Sequence, residues 1–282
     1  MSVPTTTAVS DVPIRRGFMA SALAALFVLT LRQNLHGRRP LVLSLLFLLP
    51  AILAAAFQFV PYPPAPEMLE FALVFNLIPH ALAPLTALLY AAGAIQDEVE
   101  EQTLTYLLLR PLPRWALYGT RLVAAWLTTA VLTVLFTTLT LTVIYWNTPE
   151  LWGGVLPRRA AVLAGLMALA QAGYCSLFGL FGLLARRALI AGLAYIIIIE
   201  GILSNFNFEA VVQRLTVTYY FRVLSLRWLV PSRSGEWPLD LTAAPSADEC
   251  LLTLLAVSVL FLLLGAILMR QREFRMKTAE GR

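Results

Sequence analysis

Six long apolar runs constrain this chain more than any other feature of its sequence. The runs 71–96 and 122–146 contain no charged residue, and each exceeds the ~20 apolar residues that cross a bilayer. Hydrophobic residues make up 59% of the chain and charged residues 13%, against ~45–50% and ~25% in typical soluble domains. The sequence therefore predicts an all-α, polytopic membrane protein.

Counting the apolar runs against the spanning length predicts six transmembrane helices in one domain, residues 18–270. The fifth is the weakest, because Glu200 interrupts it and only Arg186 and Arg187 separate it from the fourth. Segment 1–17 is expected to be disordered, and 271–282 to be a cytoplasmic tail. The predicted spans cover residues 41–60, 71–96, 118–146, 160–185, 188–203 and 250–269, with a long external loop at 204–249.

The distribution of basic residues predicts the orientation. Six spans place both termini on one side, and fifteen of the 21 lysines and arginines fall there, so that side is expected to be cytoplasmic and the membrane to be the cell (plasma or inner) membrane. Arg158 and Arg159 do not fit this rule. The arginines are scattered among membrane ends, which favours contact with the lipid bilayer and argues against nucleic-acid binding.

Two segments outside the spans are expected to lie at the membrane surface. Residues 18–31 are apolar and are followed by basic residues up to Arg39, which predicts an interfacial helix or a segment that dips into the membrane. In the external loop, Leu215, Tyr219, Val223 and Leu226 recur at helical spacing. This spacing predicts an amphipathic helix lying on the bilayer.

The loop between the second and third predicted spans has the most specific sequence in the chain, DEVEEQTLTYLLLRPLPR over residues 97–114. Its acidic residues come first and Arg110 falls in the last turn, an order that suits a short helix ended by Pro111. A charged loop of this kind can equally be only the solvated cap of a helical hairpin.

This loop resembles the first cytoplasmic loop of the permease subunits of type-2, exporter-like ATP-binding-cassette (ABC) transporters. The family pattern is acidic-x-acidic, then Thr-Leu, then Leu-Leu-x-x-Pro-x-x-Arg. A looser match is YIIIIEGILS at 195–204, which resembles the fifth helix of these permeases. The residues that match the loop pattern are Glu98, Glu100, Thr103, Leu104, Leu107, Leu108, Pro111 and Arg114, and Asp97, Glu101 and Arg110 complete the predicted ATPase-coupling loop.

The resemblance implies a non-catalytic transmembrane subunit that couples ATP hydrolysis on a separate ATPase subunit to translocation, in the direction of export. It also implies a cytoplasmic coupling helix in this loop, an N-terminal elbow helix, and a dimer with a second permease copy or a paralogue. ATP and magnesium would be bound by the partner ATPase, and this chain would hold no cofactor.

The sequence contains none of the common catalytic signatures. It has no Walker-A glycine loop, no HExxH and no nucleophile elbow. The only two histidines, His36 and His80, are far apart in the chain, and Cys175 and Cys250 have no metal-binding spacing. We therefore expect neither an enzyme nor a metal site.

Polar residues inside the predicted spans are candidates for a translocation path or gate. Glu200 is the only acidic residue there, and an ionisable group in hydrocarbon costs about 2.5–3.5 kcal/mol unless it is paired or hydrated. It belongs either to a substrate path, together with Asn76 and His80 of the proline-containing second span, or to the headgroup level near an external arginine. One face of the third span carries Thr129, Thr133, Thr137 and Thr140, which are expected to serve packing.

Two other functions remain open on these residues. A stand-alone secondary transporter or channel would use Glu200, Asn76 and the second span, which Pro79 and Pro84 are expected to bend. A membrane-embedded enzyme or assembly scaffold would use the same polar groups for chemistry or for holding partners. No residue of the sequence selects a particular transported substrate.

Overall fold

The computed structural model describes residues 16–94, 113–204, 213–229, 231, 237, 239 and 244–271, without the side chains of residues 16–20 and 114. The regular elements in this part of the chain are helices, and five of them are long and apolar enough to cross a membrane. The chain is therefore an all-α, multi-pass membrane protein, as predicted. The coupling-loop residues from Asp97 to Pro111 and both tails, 1–15 and 272–282, lie outside the described residues.

Eight helices follow one another within these ranges, and five of them, α2, α3, α4, α5 and α8, are the candidate membrane spans. A 3-10 turn at Pro149–Leu151 lies between α4 and α5. The helices are α1 Arg16–His36, α2 Arg38–Gln58, α3 Pro66–Ala92, α4 Arg114–Ile144, α5 Val155–Leu184, α6 Ala188–Leu203, α7 Val217–Trp228 and α8 Ala247–Gln271.

Helix α6, the fifth predicted span, is shorter than the other five. Its α-helical part, Ala188–Tyr195, and its π-helical part, Ile196–Leu203, have eight residues each. Sixteen residues at the α-helical rise of ~1.5 Å extend only ~24 Å, whereas the hydrocarbon core is ~30 Å thick. The count of six spans therefore stays a prediction.

Helix α5 forms the centre of the bundle and packs against α4, α8, α3 and α7. Small residues permit the close approach of α4, α5 and α8. A Cβ atom on Gly179 would lie 2.4 Å from Leu122 Cδ1, and one on Gly265 would lie 2.2 Å from the Tyr118 hydroxyl. Glycines at these positions let the helices approach by van der Waals packing, which drives helix association in lipid.

Helices α2 and α8 form the outside of the bundle. Only 17% of the most apolar stretch of α8 is buried, against 61% for α5. Helix α8 is apolar on all sides, and its exposed residues include Leu252, Val259 and Leu263. A surface of this composition matches lipid tails rather than water.

Helix α3 changes its hydrogen-bond pattern around its two prolines. It is π-helical over Glu70–Leu82, which contains Pro79, and α-helical over Ala83–Ala87, which has Pro84 in its first turn. A second π-helical turn covers Leu88–Ala92. Local changes of helix type let a proline remain inside a membrane helix without a neighbouring carbonyl losing its partner.

Helix α1 packs mainly along α4 and buries Leu26 and Thr30. Its last turns are tied to the bundle through Asn34, whose amide donates to Thr128 Oγ1 at 3.3 Å. The Asn34 carbonyl accepts from the Tyr90 hydroxyl at 3.3 Å. The predicted interfacial segment is thus helical, and its role as an elbow helix stays a prediction.

The prediction that the external loop carries a surface helix is wrong in one respect. A helix forms there, as α7, but nine of its twelve residues are buried, including Tyr219, Val223 and Leu226. It packs against α5, α8 and the first half of α3. Its polar residues Thr218, Arg222 and Ser225 are buried as well, so its polar side faces protein instead of water.

Candidate functional site: a buried polar cluster at helix α7

Glu200 lies at the N-terminal end of α7. Its side chain comes from the π-helical half of α6 and is fully buried. The carboxylate accepts hydrogen bonds from the backbone N–H groups of Val217 at 3.0 Å and of Thr218 at 3.2 Å. These N–H groups have no partner within the helix, and the positive end of the helix dipole favours a carboxylate. Glu200 therefore caps α7 and joins it to α6.

Further side chains fix this helix end. The Thr216 hydroxyl accepts from the Tyr219 N–H at 3.1 Å, which is the usual arrangement of an N-cap threonine. The Tyr195 hydroxyl donates to Glu200 at 3.3 Å. The hydroxyls of Tyr174 and Thr218 are 3.1 Å apart. Two backbone N–H groups and the Tyr195 hydroxyl therefore donate to Glu200, and α6, α5 and α7 meet at one buried point.

Arg222 lies just over one turn further along α7 and is only 2% exposed. Its guanidinium donates to the Ser204 carbonyl at 2.7 Å and to His80 Nε2. His80 Nδ1 is 2.8 Å from the Asn76 carbonyl, which can only accept, so Nδ1 carries the proton and Nε2 accepts from arginine. This pattern assigns the neutral imidazole.

Arg222 keeps its charge in this setting. Burial lowers the pKa of Arg222 to about 10, and the nearby Glu200 carboxylate acts in the opposite direction. The guanidinium also lies over the ring of Trp237, at 5.5 Å from the centroid, which favours the cation. Trp237 donates in turn to Asn76 Oδ1 at 3.1 Å.

The structure thus brings together the three candidates for a path or gate. Asn76 and His80 from α3 contact Trp237 and Arg222, respectively, and Arg222 belongs to α7. Glu200 from α6 accepts hydrogen bonds at the start of α7. Arg222 and Trp237 are not among the residues predicted from the sequence. Arg222 could have been found, because it falls at i+3 from Tyr219, on the face that the apolar spacing marks as buried.

Gln171 crosslinks three spans in the middle of the bundle. Its side-chain amide, from α5, donates to Thr133 Oγ1 of α4 at 2.8 Å and lies 3.2 Å from the Ala83 carbonyl of α3. The predicted threonine stripe serves packing, because all four threonines are buried. Thr129, Thr133 and Thr140 also return hydrogen bonds to their own helix. Sequence analysis missed Gln171.

A third polar group lies where α3 and α5 begin. Glu70 is 2% exposed and its Oε1 is 2.8 Å from Arg159 Nε. The Tyr145 hydroxyl donates to Glu70 Oε2 at 2.6 Å. Burial and the adjacent carboxylate both raise the pKa of Tyr145, so it remains a donor. Arg159, which does not fit the charge rule, is therefore neutralised within the protein.

Near the predicted coupling loop, one hydrogen bond joins α4 to the residue that follows α3 by two positions. Arg121, two turns into α4, donates to the Ala94 carbonyl just after α3 at 3.0 Å. Arg114 is the first residue of α4. Asp97, Glu98, Glu100, Glu101, Thr103, Leu104, Leu107, Leu108, Arg110 and Pro111 lie outside the described residues, so their predicted docking role stays a prediction.

Fold and site together define a multi-pass helical membrane protein with a hydrogen-bonded polar interior. The described residues contain no group of three or more side chains suited to hold a metal ion. Compared with models of known protein families and with curated proteins, the chain matches none.

Proposed function

We propose that this chain is the transmembrane permease subunit of an exporter-like ABC transporter. The observation that carries the proposal is the loop 97–114, whose acidic-x-acidic, Thr-Leu and Leu-Leu-x-x-Pro-x-x-Arg pattern connects two candidate spans, α3 and α4. In this proposal the loop docks on a separate ATPase subunit, which binds ATP and magnesium. A second copy or a paralogue completes the pathway.

The proposal includes the finer topology. Helix α6 is the fifth of six spans, α1 is the elbow helix, and both termini are cytoplasmic in the cell membrane. Fifteen basic residues on the side of the loop support this orientation. The docking loop then faces the compartment that contains ATP.

Movement of the loop would reach the polar interior through α3 and α4. The contact of Arg121 with Ala94 ties the two helices at the base of the loop. Gln171 then links α3 to α5, and His80 links α3 to Arg222 of α7. A rigid-body shift of α3 would therefore have to exchange these contacts, as interface-driven switches do.

The test is co-purification of the tagged chain from native membranes in mild detergent, with an ATPase assay. We expect a stoichiometric nucleotide-binding partner, which is lost when Glu98→Lys and Glu101→Lys are combined, because the reversed charges repel the docking surface. The matched control is Glu67→Lys with Asp248→Lys, two exposed acidic positions at the other end of the bundle. We expect this control to keep the partner.

The competing function is a stand-alone transporter that uses Glu200, His80 and Arg222. Its support is the clustering of three buried ionisable side chains where α3, α6 and α7 meet, because ionisable groups at membrane depth commonly mark ion pathways. Each of these three side chains already makes hydrogen bonds within the protein, which weakens the case for a stand-alone transporter. Transport by the purified chain without an ATPase, abolished by Glu200→Gln, would replace the permease proposal.

A further inference from the structure

An open cavity of about 950 Å³ lies between the start of α5 and the end of α7. Arg158 and Arg159 line it from α5, and Arg227 and Trp228 line it from α7. Glu150 is the one carboxylate among its described lining residues. The remaining wall includes the apolar side chains Val155, Val162 and Leu229. Both walls of the cavity therefore carry arginine and apolar side chains.

The three arginines differ in how they are neutralised. Arg159 has Glu70 as its ion-pair partner behind the cavity wall. Arg227 donates to the Ala244 and Pro245 carbonyls, which carry no charge. Arg158 is exposed, and within the described part of the chain neither it nor Arg227 forms an ion pair. Two guanidinium charges therefore remain to attract an anion.

The backbone adds to this positive field. Arg158 and Arg159 fall in the first turns of α5, where the helix dipole is positive and cations are unfavourable. The first turn of α5 has no acidic residue, and its N-cap residue is Gly154, which has no side chain to cap the helix. An anion in the cavity would offset the arginine charges and interact favourably with the positive end of the helix dipole.

Tryptophans indicate the depth of the cavity in the membrane. Trp146, Trp152 and Trp228 are exposed at this end of the bundle. Trp152 lies edge-on to Trp146, with ring centroids 6.2 Å apart, and donates to the Tyr145 carbonyl. Exposed tryptophans concentrate at the lipid headgroup level of membrane proteins. Because Trp228 lines the cavity itself, we infer that the cavity opens near the headgroup level.

We propose that this cavity binds the phosphate of an anionic phospholipid. Arg158 and Arg227 would contact the phosphate oxygens from opposite sides, since guanidinium groups match phosphate geometry. The apolar side chains of the cavity would contact the start of the acyl chains. The site needs neither the coupling loop nor an ATPase, so its test is independent of the proposed function.

The test uses the full chain in a zwitterionic detergent, titrated with dioctanoyl phosphatidylglycerol, dioctanoyl phosphatidylcholine or inorganic phosphate, with binding followed by microscale thermophoresis. We expect saturable binding of the anionic lipid. Combining Arg158→Gln with Arg227→Gln should weaken it by about ten-fold or more, because two charge-assisted contacts are lost. Arg159 is left unchanged, because Glu70 depends on it.

Two controls separate this site from a general charge effect. Arg32→Gln with Arg270→Gln removes two exposed arginines elsewhere and should leave binding unchanged. Arg158→Lys with Arg227→Lys keeps the charge and should bind more tightly than the glutamine pair. Equal loss in the control pair, or equal binding of phosphatidylcholine, would overturn the proposal. Binding of inorganic phosphate as tight as that of the lipid would overturn the lipid assignment in favour of a soluble phosphate.

Discussion

Glu70 and Glu200 are both buried glutamates in this bundle, but they are held in different ways. Glu70 is paired with an arginine side chain and a tyrosine hydroxyl next to an open cavity. Glu200 is held by two backbone N–H groups and a tyrosine in the closed interior. The first site includes a partly exposed arginine side chain, whereas the second lies wholly among buried groups. Burial alone therefore does not determine how much a carboxylate in this bundle contributes to the free energy of unfolding.

The largest expected effect is that of Glu200→Ala, which leaves the N–H groups of Val217 and Thr218 buried without partners. At about 1–3 kcal/mol for each unsatisfied group, we expect a loss of about 2–6 kcal/mol in the free energy of unfolding. Glu70→Ala should cost less, because the Arg159 side chain is 22% exposed whereas Val217 and Thr218 are buried. Unfolding by SDS in mixed micelles measures both, and an equal or larger loss at Glu70 would contradict the comparison.

The next effect is the coupling between Glu70 and Arg159. A double-mutant cycle with Glu70→Gln and Arg159→Gln should give an interaction free energy of about 1–3 kcal/mol, since the two side chains are close and largely buried. The matched cycle replaces Glu70→Gln by Glu67→Gln at an exposed neighbouring carboxylate. The interaction free energy from that second cycle should be under about 0.5 kcal/mol. Similar values in the two cycles would show that the pair has no specific role.

The smallest effect separates the two tyrosines. Tyr145→Phe removes a donor 2.6 Å from Glu70, and we expect it to cost about 1–2 kcal/mol. Tyr195→Phe removes a donor 3.3 Å from Glu200. We expect it to lower the free energy of unfolding by under about 0.5 kcal/mol, because the backbone donors remain. Thermal unfolding of the two variants in one detergent compares them. The reverse order would mean that Tyr195 is a principal partner of Glu200.

The apolar runs were sufficient to predict the class of fold but not the ends of its helices. The run 160–185 predicts a span, whereas α5 begins at Val155 and includes Arg158 and Arg159. Run length follows the thickness of the hydrocarbon, and a helix can continue beyond it into the headgroup layer. The ionisable candidates Glu200 and His80 were also visible, because such residues are rare in apolar runs.

The partners of these candidates could not be predicted. Glu200 is held by backbone N–H groups 17 and 18 positions away, and backbone groups leave no mark on composition. His80 meets Arg222 across 142 positions. Such pairs depend on how α3, α6 and α7 pack in three dimensions. The predicted coupling loop, in contrast, is a local pattern, so its sequence carries the proposal by itself.

The capping of α7 by Glu200 also imposes an order on biosynthesis. Glu200 leaves the ribosome before the residues that will hold it, and at ~5–20 residues per second Val217 follows about 1–3 s later. During that interval the short helix α6 carries a carboxylate whose two backbone donors do not yet exist. The packing of α6 against α7 is therefore completed only when the next segment has been made, and the two helices reach their final contacts together.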